Sequence, residues 1–166
     1  MAYELIETIE VGSGGAASIE FTSIPQDGVD LVLVTSLRST GGSTRIRTEI
    51  NGDTSGFDNT NIVLQGDGSS ASSTINTSNG FDYMFLNYST QTSNTFSSGS
   101  LYMSNYTSSA DKSASIDSVN ENNATAVNHG ITASVYSGSS LPITSLKLTS
   151  GVDLAQYSTA SLYKIY

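Results

Sequence analysis

The segment ASIEFTSIPQDGVDLVLVTSL, residues 17–37, carries the pattern that decides the fold. Its first six residues alternate between small or apolar and polar side chains, which is the period-two pattern of a half-buried β-strand. Pro25-Gln26-Asp27-Gly28 then predicts a tight turn, because proline presets its own φ angle and glycine accepts corners that other residues avoid. The apolar run from Asp30 to Leu37 predicts a second strand directly after the turn.

The rest of the chain repeats this arrangement of short β-patterned runs and turn residues. Asn51-Gly52-Asp53 is a strong tight-turn signal, and no segment has the period of an amphipathic helix. The Gly- and Ser-rich stretch Gly66–Ser73 predicts an exposed loop. We therefore predict an all-β protein: a jelly-roll-like antiparallel β-sandwich of about eight to ten strands, with residues 1–166 forming one domain.

Composition and charge restrict the classes of partner. Charged residues make up 13% of the chain, against about 25% in an average protein, and the formal net charge is −9. The six basic residues are scattered, so we expect neither nucleic acid nor an anionic membrane as a partner. The absence of cysteine excludes disulfides and thiolate metal sites. The first residues resemble no signal peptide, which predicts synthesis in a cytosol.

Three groups of residues are candidates for a catalytic or metal-binding role. His129 is the single histidine, and no nucleophile motif lies near it, so a polar turn residue is the simpler interpretation. Asp117 and Glu121 could pair as in a glycosidase, but the chain has no tryptophan on which a sugar would stack. Asp53–Asp58 and Asp67 could offer oxygen ligands to calcium, yet neither has EF-hand spacing and Asp-Gly pairs are typical of turns. We expect no enzymatic activity, no cofactor and no metal site.

Two predicted strands, Asp30–Leu37 and Phe81–Tyr88, are apolar on both faces. A two-layer sandwich buries only one face of each sheet, so a second cover is needed. That cover is either a long loop of the same chain or a subunit interface, where aromatic residues are enriched and charges depleted. If it is an interface, the candidate residues are Val32, Val34, Tyr83, Phe85 and Tyr88.

Three stretches carry a resemblance to a known class of proteins: MAYELIETIEV (residues 1–11), NYTSSADKSASIDS (105–118) and ASLYKIY (160–166). They resemble small Ser/Thr/Gly-rich virion proteins of tailed bacteriophages. The resemblance implies a jelly roll or related sandwich, often trimeric, attached to the capsid exterior or to tail fibres. It implies no particular functional residues. Such proteins often end in Leu-Tyr-Gly-Ile, where this chain has Leu162-Tyr163-Lys164-Ile165.

Two functions remain open from the sequence. The first is a capsid decoration (cement) protein on the virion exterior, a homotrimer that binds the major capsid protein and stabilises contacts between coat subunits. The alternative is a tail-fibre or receptor-binding module that recognises host surface glycans through loops such as Gly66–Ser73 and Tyr106–Asp111. The missing tryptophan counts against the alternative.

Overall fold

The computed structural model describes residues 2–53, 59–67, 69–78, 80–123, 127–137 and 141–166, and for residues 59–63, 76–78 and 83 it describes the backbone only. All regular structure in this part of the chain is β-strand. The strands are β1 (Tyr3–Glu10), β2 (Ala16–Phe21), β3 (Asp30–Leu37), β4 (Arg45–Ile50), β5 (Asn59–Gly66), β6 (Ala71–Ser78), β7 (Phe81–Phe85), β8 (Ser97–Met103), β9 (Lys112–Glu121), β10 (Val127–Tyr136), β11 (Leu146–Leu154) and β12 (Thr159–Ile165).

The strands form two sheets, in which neighbouring strands are antiparallel. The large sheet has the order β1-β12-β3-β8-β9-β10-β5-β6, and the small sheet has the order β2-β11-β4-β7. The predicted all-β sandwich is confirmed, whereas the jelly-roll topology and the single domain stay predictions. The strand number was wrong: twelve strands are described instead of eight to ten. Part of the predicted loop Gly66–Ser73 belongs to β6, which carries no buried apolar row that could have revealed it.

The core lies between the sheets and draws apolar side chains from both. On β3, Leu31 and Leu33 are fully buried, while Val34 points away from the core and is 45% exposed. From the small sheet, Phe21 on β2 and Ile46 on β4 join the same buried cluster. Alternation along β3, β8 and β9 therefore defines an inner face that meets the small sheet and an outer face that points away from it.

Polar side chains on the inner face also hold the two sheets together at β7. Ser118 on β9 accepts a hydrogen bond at its Oγ from the backbone N–H of Phe85, at 2.9 Å. Asn120, two residues along the same strand, donates from Nδ2 to the carbonyl oxygen of Leu86 at 3.1 Å. These bonds satisfy backbone groups at the edge of the small sheet, so the buried hydroxyl and amide replace ladder partners that a further strand would supply.

The predicted tight turn at Asn51-Gly52 is confirmed and also anchors a distant loop. Both residues have positive φ, 51° and 71°, as a type I′ turn requires. The Asn51 side chain accepts hydrogen bonds from the backbone N–H groups of Thr144 (2.8 Å) and Ser145 (3.2 Å). It also donates from Nδ2 to the carbonyl of Pro142 at 2.9 Å. One asparagine thus serves two segments that are far apart in sequence.

Candidate binding face

The outer face of the large sheet carries a continuous apolar row across four strands, which we call the β3 patch. Strand pairing places Leu5, Tyr163, Val32 and Tyr102 side by side on β1, β12, β3 and β8. Leu5 is 51% exposed and Tyr102 39%, and Val34 adds a further exposed side chain next to the row. Single exposed apolar residues are ordinary, whereas a contiguous group of them makes this face a candidate for binding a partner.

A second apolar area, the β10 patch, lies on the same face at the other side of the sheet. Ile131 on β10 is paired with Leu64 on β5, and both are about half exposed. Ile75 on β6 and Val135 on β10 are also exposed. A groove of about 710 Å³ runs between Leu64, Ile131 and the neighbouring His129. This part of the face is both apolar and concave.

Serine hydroxyls, with few charges, separate the two patches. On the described parts of β3, β8, β9 and β10, few acidic or basic side chains point outward. They are Asp30, Asp117, Glu121 and His129. Asp30 and Glu121 stand at strand ends, while Asp117 and His129 lie 3.4 Å apart and are both well exposed. Between them Ser98, Ser100, Ser113 and Ser115 are exposed. A partner would have to desolvate few ions to cover this face.

The hydrogen bonds of Asp30 fix one margin of the β3 patch. Tyr102 donates its hydroxyl hydrogen to one Asp30 oxygen, and the backbone N–H of Asn105 donates to the other at 2.8 Å. The bond to Asp30 raises the pKa of the Tyr102 hydroxyl above its usual value. The Tyr102 ring is therefore held in place by a carboxylate at its tip, which lowers the entropy that a partner must remove when it packs against the ring.

The five candidate interface residues do not share one surface. Val32 is half-buried and Val34 exposed, and both lie in the β3 patch. Phe85 is 8% exposed and packs over Gly130 on the inner face of the large sheet, so its second cover comes from within the chain. Tyr88 is half-buried after the end of β7, and the Tyr83 side chain lies outside the described residues. The interface role stays a prediction for all five.

The candidate chemical residues have local structural roles where they are described. Asp67 accepts four hydrogen bonds at Oδ1, from the backbone N–H and the hydroxyl of both Ser69 and Ser70. These bonds hold its pKa well below the usual range, which fits a turn residue. Glu121 likewise accepts from the backbone N–H of Asn123 at 2.7 Å. Of the stretch Asp53–Asp58, positions 54–58 lie outside the described residues, as does the glycine after Asp67.

The described residues contain no group of three or more acidic or histidine side chains arranged to hold a metal ion. The same residues include no helix of the length and hydropathy needed to span a membrane.

The outer face of the small sheet has a different character, because it carries a polar groove of about 360 Å³. Arg45, Arg47 and Glu49 from β4 line it together with Asp82 from β7. Glu49 is only 7% exposed and lies 3.5 Å from the ammonium nitrogen of Lys147. Hydroxyl groups complete the lining, from Ser43, Thr149 and Ser150. No sequence motif predicts this groove, because its residues come from strands that are far apart in the chain.

Comparison with known proteins adds no relative: no family model, curated protein or solved structure matches this chain.

Proposed function

We propose that this chain is a non-enzymatic structural protein of a bacteriophage particle, a decoration protein that binds the outside of the capsid. The observation that carries the proposal is the outer face of the large sheet, where the β3 and β10 patches are separated by serines and few charges. Such a face suits close and lasting contact with a protein surface. The resemblance to virion proteins supplies the identity of the partner, the major capsid protein.

The mechanism follows from binding energy alone. A protein that binds coat subunits only where they meet in the assembled shell stabilises that shell by mass action, since disassembly would release it. Rigid aromatic and β-branched side chains such as Tyr102 and Val34 lose little conformational entropy when they are covered. No bond is made or broken, so the mechanism requires neither a cofactor nor a catalytic group.

The test is binding of the purified chain to expanded capsids of the phage whose genome carries this sequence. We expect the chain to co-sediment with expanded capsids and to raise their melting temperature. We expect it not to bind unassembled coat protein. Val34→Glu places a charge in the β3 patch and should abolish binding. Val152→Glu, a matched change at an exposed valine of the small sheet, should leave binding intact. Failure of the unmodified chain to bind expanded capsids would end the proposal.

The polar groove on the small sheet supports the second candidate, a fibre or receptor-binding module that recognises host glycans. Guanidinium, carboxylate and hydroxyl groups match the hydrogen-bonding needs of sugar hydroxyls. A glycan array probed with the purified chain tests it. Binding that is lost in Arg47→Ala and kept in Val34→Glu would favour this function. The opposite pattern on capsids would favour the first.

The loops that the sequence suggests for glycan contact, Gly66–Ser73 and Tyr106–Asp111, suit a sugar less well than the groove. Tyr106, which opens the Tyr106–Asp111 loop, is fully buried, and its hydroxyl is hydrogen bonded to the carbonyl of Pro25 and the N–H of Gly28. Its ring is therefore closed to a sugar. The serines around Asp67 are committed to the turn between β5 and β6.

A further inference from the structure

The last strand of the large sheet, β6, is an unprotected edge. It pairs with β5 over all eight of its residues, from Ala71 opposite Gly66 to Ser78 opposite Asn59, with no irregularity in register. No strand of the described residues lies on its other side, and Ala71 through Ile75 are all exposed. Alternate backbone N–H and C=O groups of such an edge point outward, ready to pair with another strand.

The other three sheet edges carry the features that block strand pairing. β1 has Glu4, Glu7 and Glu10 and a register shift between Leu5 and Glu7. The short strands β2 and β7 carry Glu20 and Asp82. Charged residues, bulges and short length all discourage edge-to-edge association. β6, with the sequence ASSTINTS, has no charge, no proline and no bulge.

Charge selects a second copy of the same chain as a suitable occupant of this edge. Two molecules of net charge −9 repel each other, so self-association needs a surface from which acidic groups are absent. Neither β5 nor β6 contains a charged residue. Along the chain the nearest charged residues are Asp58, directly before β5, and Asp67, in the turn between the two strands. Pairing of β1 with a second β1 would instead bring six glutamates together.

The side chains give the register. Ile75 is 73% exposed, the highest value among the exposed large apolar side chains of the described residues. It lies on the outer face, two residues from Ser73, which is paired with Leu64 of the β10 patch. A two-fold axis normal to the sheet keeps the outer faces of both copies on the same side. If this axis runs between the two Ile75 residues, they lie opposite each other and each isoleucine covers the other.

We propose that β6 pairs antiparallel with β6 of a second copy about a two-fold axis at Ile75, joining two large sheets into one continuous sheet. The pairing is isologous, so it closes at two chains and leaves no free β6 edge for fibre growth. It also joins the two β10 patches into one apolar surface. This inference goes beyond the proposed function and does not depend on capsid binding. It gives an assembly of two chains, where the resemblance to virion proteins implies three.

Light scattering after size exclusion, run on the full chain, tests the pairing through its mass. We expect twice the 17.4 kDa of the single chain. Ile75→Glu and Ile75→Lys should each give a mass of 17.4 kDa, because like charges then face each other across the axis. An equimolar mixture of the two variants should recover the doubled mass, since opposite charges then meet.

Matched controls separate loss of pairing from loss of folding. Leu5→Glu, a change at a half-exposed residue on the opposite edge strand, should keep the doubled mass. Both Ile75 variants should keep the circular dichroism spectrum of the unmodified chain. A single-chain mass for the unmodified protein at high concentration, or any larger mass that the Ile75 variants leave unchanged, including a trimer, would overturn the inference.

Discussion

The contact between Gly130 and Phe85 permits a quantitative test of how the two sheets pack. Gly130 lies on the inner face of β10, and a Cβ atom placed there would stand 2.6 Å from Cε2 and 2.9 Å from Cδ2 of the Phe85 ring. Carbon atoms in contact prefer about 3.5–4.0 Å, so in Gly130→Ala the ring must retreat by roughly 1 Å. Its backbone cannot easily follow, because the Phe85 N–H is hydrogen bonded to Ser118 at 2.9 Å.

The expected cost combines two opposing effects. Overpacking of a core typically costs about 1–3 kcal/mol, and an off-rotamer ring accounts for about 1 kcal/mol of that. Replacing glycine by alanine returns about 0.4–1 kcal/mol by restricting the unfolded chain. We expect Gly130→Ala to lower the free energy of unfolding by about 1–2 kcal/mol, which is a fall in Tm of roughly 2–8 °C for a domain of this size.

Urea denaturation of four proteins measures this effect and its cause: the unmodified chain, Gly130→Ala, Phe85→Leu and the double variant. Leucine is smaller at the point of contact, so the alanine should cost markedly less in the Phe85→Leu background. Gly42→Ala is the control for the substitution itself, since its new methyl meets nothing within 4 Å and no loss from overpacking is expected. The reasoning is refuted if Gly130→Ala is as stable as the unmodified chain, or if the two changes add without coupling.

Three further variants test single features of the fold. Asn51→Ala should lower the free energy of unfolding in urea by about 2 kcal/mol. The substitution places alanine at a positive φ angle and removes the side chain that bonds the backbone of the loop at Pro142 and Thr144. An unchanged free energy of unfolding would contradict the anchoring role. Tyr106→Phe should cost about 1–3 kcal/mol because the buried Pro25 carbonyl loses its donor, whereas exposed Tyr3→Phe should cost little. The bond to Lys164 lowers the pKa of Asp27 below 3.8, so its stabilisation is present above that pH and lost as pH falls further. Asp27→Asn should therefore flatten the acid side of a stability-against-pH curve, and an unaltered slope would exclude this pair as its source.

The parts of the fold that follow from local pattern were predictable. Alternation in β2 and the apolar run of β3 follow directly from residue type, as does the turn at Asn51-Gly52. Phe85 shows where local pattern ends. Its strand is apolar on both faces, and the sequence could not say whether the second cover was a partner or the same chain. In the structure the Phe85 ring packs against β10 of the same chain, at Gly130. The position of that glycine depends on the long-range pairing of β9 with β10, which local sequence pattern does not predict.

β6 was missed for a physical reason that also explains its proposed role. A strand is recognised in sequence by one apolar row turned to a core, and ASSTINTS has a single large apolar residue, turned outward. Its conformation is instead set by hydrogen bonds to β5, which sequence pattern does not report. A strand held on one side only, without the charges that protect the other edges, retains the same capacity for pairing on its free side. The composition of β6 therefore has two effects: it hides the strand from sequence patterns, and it leaves the free edge without the charges that would prevent pairing. The mass of the Ile75 variants measures whether that edge pairs.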